Sequence, residues 1–589
     1  MSASARLANV CSTFDSSQYP ASLINLLDEL SKDLARSQGF RVELGDADPP
    51  VWPHLRRLWT EVVSAHQLAD GDDTEALKGF CLSLARFTRN LAAAVPSNQA
   101  RAITYEPDIR SLLHHYTSFF ALEEKSCLPV TRMLIQTLSN LVTANEQLTK
   151  QIWDQYMSLP MEEFILIRLL TVPDETTVLA TLVFILNCVH PDKGQLDLLT
   201  RSKNGPRLCV SLLDQIGALF DKEESSDGGR AFEIGYTIVT RLIEEGLVPE
   251  LYLQISVEDE VVTPHQTILL KLLDSYLHSS QSHGTAMPAH YRTLCDLLVS
   301  VFFALSLNAQ HSIRRALGMN DEAISNPQSS FAAAAAAEPP TASPSGDSQA
   351  ASLQEVDLLL PKICEALVLT TQCLVSLCLL SEEKSNTIHV ASERREDRLH
   401  TTDGAASAGS LKGFVGIAVS TNGCGFIETL IETLQLFDLF LPRITFGKVA
   451  PSPVLAGGGD PSLVQGSKTP SPTRHEDILG GNVADPSPPK TLSVDPKGFL
   501  YLKRDLVRLL GILSFGSKQI QDRVRACGGI PVVLNLCVVD ERNPYLREHA
   551  IFTLRNLLDG NAENQAVVDE IQPIRDWDVD GELQGRTRI

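Results

Sequence analysis

The chain predicts an all-α fold, a helical solenoid carrying disordered insertions, and three observations point there. A short helix ending recurs: Arg89-Asn90-Leu91, Ser139-Asn140-Leu141, Leu186-Asn187-Cys188 and Arg555-Asn556-Leu557 each close an apolar run. The intervals from Asn90 to Asn140 and from Asn140 to Asn187 are 50 and 47 residues, close to the roughly 40–47 residues of an armadillo or HEAT repeat. Hydrophobic residues make up 43% of the chain and aromatic residues only 6%, and leucine-rich, aromatic-poor runs suit packed helices better than sheets. The apolar positions also fall on one helical face. Ala550, Ile551, Leu554, Leu557 and Leu558 keep helical spacing, as do Leu134, Leu138, Leu141 and Val142, and the set Phe80, Leu84, Phe87 and Leu91. The class is therefore armadillo/HEAT-like: each repeat buries its apolar face on its neighbours, and the product is a long surface rather than a pocket.

Residues 1–320 read as N-terminal repeats, an almost unbroken series of helices with breaks at 46–50, 223–229 and 283–288. Asn98 and Asn564 follow Asn90 and Asn556 at the same offset, each with glutamine after it (Gln99, Gln565). A short asparagine side chain accepts from the unpaired amides of a helix start, so the spacing predicts helix, short loop, capped helix. Asn145 and Glu146 take that part after Asn140. Composition then shifts. Residues 321–352 hold an alanine run followed by proline, serine and glycine, a low-complexity insertion. Residues 353–446 return to repeat helices, through Ile363, Leu367, Leu374 and Cys378 and later Ile427, Leu430, Leu434 and Phe437, with a polar insertion at 392–410. Residues 447–497 are a Pro/Gly/Ser-rich linker that forms neither helix nor ladder. A well-patterned helical block at 498–572 and a polar tail at 573–589 complete the chain. The block is expected to pack on the helices before the linker, because an isolated repeat leaves its apolar faces unpaired.

The net charge of −22 disfavours nucleic acid and anionic membranes, both of which need a concentrated basic surface. Acidic solenoids can receive basic peptides, but such charge more often keeps a surface soluble. The cysteines lie mostly inside apolar runs, among them Cys81, Cys188, Cys295, Cys373 and Cys378, and none forms a C-x-x-C pair. No basic segment leads into an apolar stretch at the N-terminus. A reduced, cytoplasmic setting is the expectation. The uncharged run 297–313 turns polar at Asn308, Gln310, His311 and Ser312, so it reads as a core helix and no membrane insertion is expected.

Chemistry-bearing patterns are few. His278, His283 and His290 lack an H-E-x-x-H or a cysteine pair, and the acidic pairs Glu223-Glu224 and Glu382-Glu383 read as solvated faces. Neither metal nor cofactor nor catalytic residue is expected. A strand-like stretch at 414–419, followed by Gly423-Cys424-Gly425 and a helix, imitates a dinucleotide loop, but Glu428 stands where the third glycine belongs. A nucleotide-binding enzyme is the alternative of another class. In armadillo carriers of import signals, an asparagine holds the peptide backbone and a tryptophan four residues earlier packs its lysine stems. Here those positions are Arg86, Gln136, Val183 and Phe552. A peptide-binding transport adaptor therefore stays an alternative, and the asparagines read as helix-end hydrogen-bonding residues. Phe552, Arg555 and Asn556 are the candidate partner-binding set. In the linker, Thr469-Pro470 and Ser471-Pro472 make Thr469 and Ser471 candidate phosphorylation sites for a proline-directed kinase.

One stretch carries a family resemblance. It contains Lys503-Arg504-Asp505-Leu506, Arg508-Leu509-Leu510-Gly511, Gly528-Gly529-Ile530-Pro531, Asn543-Pro544, Glu548-His549-Ala550-Ile551, Arg555-Asn556-Leu557 and Asn564-Gln565. This run resembles the C-terminal domain of the ataxin-10 family, fungal members included. The resemblance implies an armadillo-like fold, a cytoplasmic protein without enzymatic activity, a role in cytokinesis and cell division, and self-association into a homo-oligomer. Gly528, Gly529, Pro531, Asn543, Pro544, Asn564 and Gln565 are its signature, and they read mainly as architecture. The two glycines suit a left-handed helix ending, Pro531 suits the first turn of the next helix, and Asn543-Pro544 resets the chain. The reading is a non-enzymatic scaffold for protein partners.

Overall fold

The computed structural model describes residues 2–12, 21–68, 74–190, 192–280, 290–319, 347–392, 410–441, 443–445, 448–449, 499–570, 575–577 and 583–585. The chain divides into two compact units, Met1–Tyr276 and Leu277–Ile589.

The first unit is built on a row of long helices packed side by side: α1 (Ala21–Arg36), α2 (Thr74–Ala92), α3 (Leu128–Val142), α4 (Glu175–Val189) and α5 (Asp227–Glu244). Shorter helices pack against this row. The predicted stripe of α2, Phe80, Leu84, Phe87 and Leu91, is fully buried, as are Leu134 and Leu141 of α3. Helix starts follow capping chemistry: the Asp174 carboxylate accepts from the Thr177 amide at 2.9 Å before α4, and Asn145 accepts from the Leu148 amide at 3.3 Å before helix Glu146–Ser158. After α2 and α3 the chain turns through Ala94 and Ala144, whose φ values of 54° and 58° are unusual for residues bearing a Cβ.

The second unit repeats the plan with α6 (Tyr291–Ala316), α7 (Asp347–Ser392), α8 (Leu502–Ser514) and α9 (Leu546–Leu558) as its row. Helix Phe426–Phe440 packs on α6 and α8, and helices Lys518–Ala526, Gly529–Asn535 and Ala562–Glu570 surround α9. α7 starts inside the segment expected to be insertion, because the Asp347–Gln354 stretch lacks proline and glycine and is rich in helix formers. Two short antiparallel strand pairs interrupt the helical class: Ile444–Thr445 with Lys448–Val449, a ladder at the start of the linker expected to form none, and Arg575–Trp577 with Leu583–Gly585, within the expected polar tail. The strand-like reading of 414–419 fails. Leu411–Ile417 is a helix capped by Ser410, and only Val419 makes a bridge, to Gly425.

Of the apolar set assigned to α9, Ala550 and Leu557 are buried but Ile551 is 47% exposed, because among the described residues no further row helix covers its far side. α6 and the segment Leu359–Glu382 of α7 are long and apolar enough to cross a membrane; most of each window is buried against neighbouring helices.

The two ends of the linker meet. The Phe440 and Phe499 rings lie 6.2 Å apart, and the fully buried Lys503 ammonium donates to Asp438 at 3.2 Å and to the Leu441 carbonyl at 3.1 Å, with Asp540 at 3.6 Å. α8 thus continues the row of α7, where Gln372 donates to the Asp505 carboxylate at 2.9 Å.

Candidate functional site

The recurring asparagines form a ladder that points into the protein. Asn90 donates to the Ser31 carbonyl at 2.9 Å, Asn140 to Arg89 at 3.2 Å and Asn556 to Gly511 at 3.0 Å, in each case the row helix before their own. Asn187 reaches the hydroxyls of Ser139 and Thr143 at 3.2 and 3.1 Å. In two of the repeats a threonine three residues earlier makes a second stitch: Thr137 to Ala85 O at 3.1 Å and Thr553 to Val507 O at 3.0 Å.

A glutamine completes the lock from the following helix. Gln99 donates to the carbonyls of Asn140 and Thr143 at 2.8 and 2.9 Å, and its own oxygen accepts from Asn145 at 3.0 Å. Gln521 does the same in the second unit, donating to Asn556 at 2.9 Å and Asp559 at 3.4 Å and accepting from Asn561 at 3.1 Å. These amides satisfy the orphan carbonyls of a helix end in the next repeat. The expected capping role of Asn98 and Asn564 is corrected. Each sits inside its helix, buried, and donates backwards to the end of the preceding helix, to Leu91 O at 2.9 Å and Leu557 O at 2.7 Å. Asn561 is the cap, accepting from the Asn564 amide at 3.2 Å. Gln565 is exposed and donates to Leu558 O at 2.8 Å.

Threonine and glutamine were missed by sequence reasoning, though a signal exists: Thr137-Leu138-x-Asn140-Leu141-x-x-x-Asn145 matches Thr553-Leu554-x-Asn556-Leu557-x-x-x-Asn561. The positive-φ turn recurs at the same place, Ala144 in one and Gly560 (φ 65°) in the other. Tyr501-Leu502 and Tyr545-Leu546 likewise open α8 and α9, both tyrosines at φ 66°.

The candidate partner set therefore separates. Asn556 has both its amide and its carbonyl engaged within the protein, whereas Phe552 is 60% exposed and Arg555 is exposed as well. Glu548, Phe552 and Arg555 recur at four- and three-residue steps on α9 and share its open face, and Tyr545, just before the helix, is 70% exposed. Other signature residues are structural. Gly528 takes φ 69° at the end of helix Lys518–Ala526. Gly529 is helical instead of left-handed, and a Cβ there would meet Ile431 Cδ1 and Val524 Cγ1 at 2.7 Å. Pro531 stands in the first turn of helix Gly529–Asn535. Asn543 is buried, accepts from the Lys503 amide at 3.2 Å and donates to Asp540 at 2.9 Å before Pro544.

The glycine loop is filled by the protein itself. Arg523 grips the Glu428 carboxylate at 3.0 and 2.5 Å and donates to Gly416 O at 2.6 Å. Burial alone would raise the Glu428 carboxyl, but the Arg523 guanidinium together with further hydrogen bonds to the carboxylate holds it below the usual carboxylate range. With this ion pair at the N-terminus of helix Phe426–Phe440, and a helix in place of the preceding strand, the loop lacks the dinucleotide fingerprint's setting. Among the described residues no group of three metal-ligating side chains converges; His283, Thr469 and Ser471 lie outside them.

Residues 502–585 match the family model described as the spinocerebellar ataxia type 10 protein domain. Two curated relatives align over much the same length. An ataxin-10 homolog of Dictyostelium discoideum is 40% identical over 83 residues, 14% of this chain and 13% of the relative. An ataxin-10 homolog of Kluyveromyces lactis is 34% identical over 87 residues, 15% and 16% of the two chains. The matched stretch thus spans under a fifth of either relative. Among solved structures, that of an engineered protein aligns over 95% of this chain and 99% of its own, at 12% identity and a TM-score of 0.31; the helical class rests on the helices themselves.

Proposed function

From the premise that residues 502–585 are an ataxin-10-family domain, we propose that this chain is a non-enzymatic scaffold for protein partners, acting in the cytoplasm in cytokinesis and cell division. The observation that carries the reading is the division of labour on α9. Asn556 and Thr553 are spent on locking the repeat, and Tyr545, Ile551 and Phe552 stand exposed beside Arg555. Aromatic residues and arginine are the types that anchor protein interfaces, and a rigid helix spares the backbone part of the ordering cost at binding. Self-association uses the same kind of surface at the end of the row, where Ile551 is uncovered. Phosphate on Thr469 or Ser471 adds about two negative charges each and changes docking rather than folding.

The transport-adaptor reading gains nothing, since the asparagine amides that would hold a peptide backbone are engaged within the protein. The test is proximity labelling in dividing cells with the full chain, the chain lacking 498–589, and the full chain bearing Phe552→Ser and Arg555→Glu. Loss of division-machinery neighbours in both altered chains is expected. An unchanged neighbour set in both would overturn the proposal.

A further inference from the structure

After α5 the chain forms helix Val248–Gln254 and then a loop leading into helix Pro264–Ser280. The loop is tied at both ends. The Gln266 side chain donates to the Tyr252 carbonyl at 3.0 Å and accepts from the Thr263 amide at 2.8 Å, while the Thr263 hydroxyl accepts from the Gln266 amide at 3.1 Å, the reciprocal pairing of a capped helix start. Thr263 and Ile255 are both buried, and the Thr263 hydroxyl reaches the Ile255 carbonyl at 3.4 Å. Between these ties, residues 256–261 are exposed without interruption and lie outside any helix.

The projecting run reads Ser256-Val257-Glu258-Asp259-Glu260-Val261. Its acids stand two, three and four residues after the serine, and among the described residues no cation or side-chain donor engages their carboxylates. A serine or threonine with an acid three residues later also occurs at Thr171, Ser211 and Thr293, and there the setting differs. Asp174 is spent on Arg132 at 2.9 Å and on capping α4 through the Thr177 amide. Ser211 lies within helix Gly205–Leu219 and Thr293 within α6. Ser256 is the one of the four that stands in an exposed loop with its acids uncommitted.

We propose that Ser256 is a phosphorylation site for an acidophilic serine/threonine kinase. The basic cleft of such an enzyme selects its substrate by charge pattern, and here Glu258, Asp259 and Glu260 are free to enter it without a helix being unmade. The serine oxygen attacks the γ-phosphorus of MgATP, the bond from that phosphorus to the β–γ bridging oxygen breaks, ADP leaves, and the hydroxyl proton passes to the kinase's catalytic carboxylate. The consequence is local. Ser256 Oγ donates to the Leu253 carbonyl at 2.6 Å, at the C-terminal end of helix Val248–Gln254. A phosphate only accepts there, faces the negative end of the helix, and adds about two negative charges beside three carboxylates, so it loosens the helix end and the loop rather than docking them. The site is separate from α9 and from the linker, so its failure leaves the scaffold reading standing, and the reverse holds.

The test incubates the folded full chain with MgATP and a purified acidophilic serine/threonine kinase, and locates phosphate by peptide mass mapping. Ser256 is expected to be modified, with Thr171, Ser211 and Thr293 modified only after the chain is denatured. Asp259→Asn keeps the turn, because asparagine tolerates the φ of 71° that Asp259 adopts, and is expected to slow Ser256 modification by about tenfold. Hydrogen exchange at residues 253–256 is expected to quicken in the phosphorylated chain. An unmodified Ser256 in the folded chain would overturn the proposal, as would equal modification of Asp259→Asn, or of Thr171 in the folded chain; unchanged exchange would overturn the loosening.

Discussion

The Asn556 side-chain amide donates to the Gly511 carbonyl at 3.0 Å, joining α9 to α8 at the register by which Asn140 joins α3 to α2. Removing it leaves a buried helical carbonyl without its extra donor. Asn556→Ala is expected to lower stability by about 1–2 kcal/mol, read as a shifted denaturation midpoint at constant m-value. Unchanged stability together with lost partner capture would place this asparagine on a ligand instead.

Gln521 and Asn561 act as one lock, since the glutamine both donates to the end of α9 and accepts from Asn561. Gln521→Ala and Asn561→Ala should each cost about 1–3 kcal/mol, and the double variant less than their sum by about 0.5–3 kcal/mol. A double-mutant cycle by urea denaturation checks this; strict additivity would show two independent contacts.

Lys503 holds both sides of the linker, so a protease site engineered at 470–480 should yield two fragments that co-elute on gel filtration. Lys503→Ala removes the buried cation shared by Asp438, which keeps Arg443 at 3.2 Å, and Asp540, and is expected to cost about 3–5 kcal/mol and to let the fragments part. Separation of the cleaved but otherwise natural chain would contradict it.

Acid should loosen the first unit. The His66 imidazole is pushed by burial from 6.5 to about 4, so the unfolded chain takes up its proton first. The stability this group contributes is full above 6.5 and is lost as pH falls through about 4, amounting to about 3 kcal/mol at most. His114 is lowered in the same direction, by burial first and by the Arg168 guanidinium beside it. Thermal unfolding across this window should fall less steeply in His66→Gln than in the natural chain; identical pH profiles would rule the group out.

Two neighbouring glycines should fail differently. Gly528→Ala meets open space but forces an L-residue to φ 69°, costing about 1 kcal/mol, whereas Gly529→Ala drives a methyl into Ile431 and Val524 and costs about 1–3 kcal/mol. Melting temperatures of Gly528→Asn and Gly529→Ser extend the comparison. Asparagine tolerates the left-handed region and should largely restore the first position, while serine should not rescue the second.

The helical class and the buried stripes of α2 and α3 were legible because 3.6-residue periodicity depends only on local order. The asparagine marker was legible as a period, and so was the C-terminal block. Thr553 and Gln521 were not, although their motif is written in the chain, because a threonine or glutamine at an apolar helix edge gives no hint of a carbonyl some 40 residues away that needs its proton. Exposure of Ile551 was equally hidden, since its spacing fits a stripe that, among the described residues, no further row helix covers; Phe552, read as a partner-binding residue, is exposed.

By itself the sequence determined the helical class, which faces of α2 and α3 are apolar, and that the last block resembles the ataxin-10 family's C-terminal domain. Only the tertiary structure decided that the asparagines look inward to the preceding repeat, that Arg523 and Glu428 fill the glycine loop, and that Lys78 is buried with Glu75 and Glu124 as its partners. The physical reason is reach. Periodicity and capping act within a turn or two of the chain, but donors, acceptors and charges find partners across repeats, and that pairing exists only once the repeats have stacked.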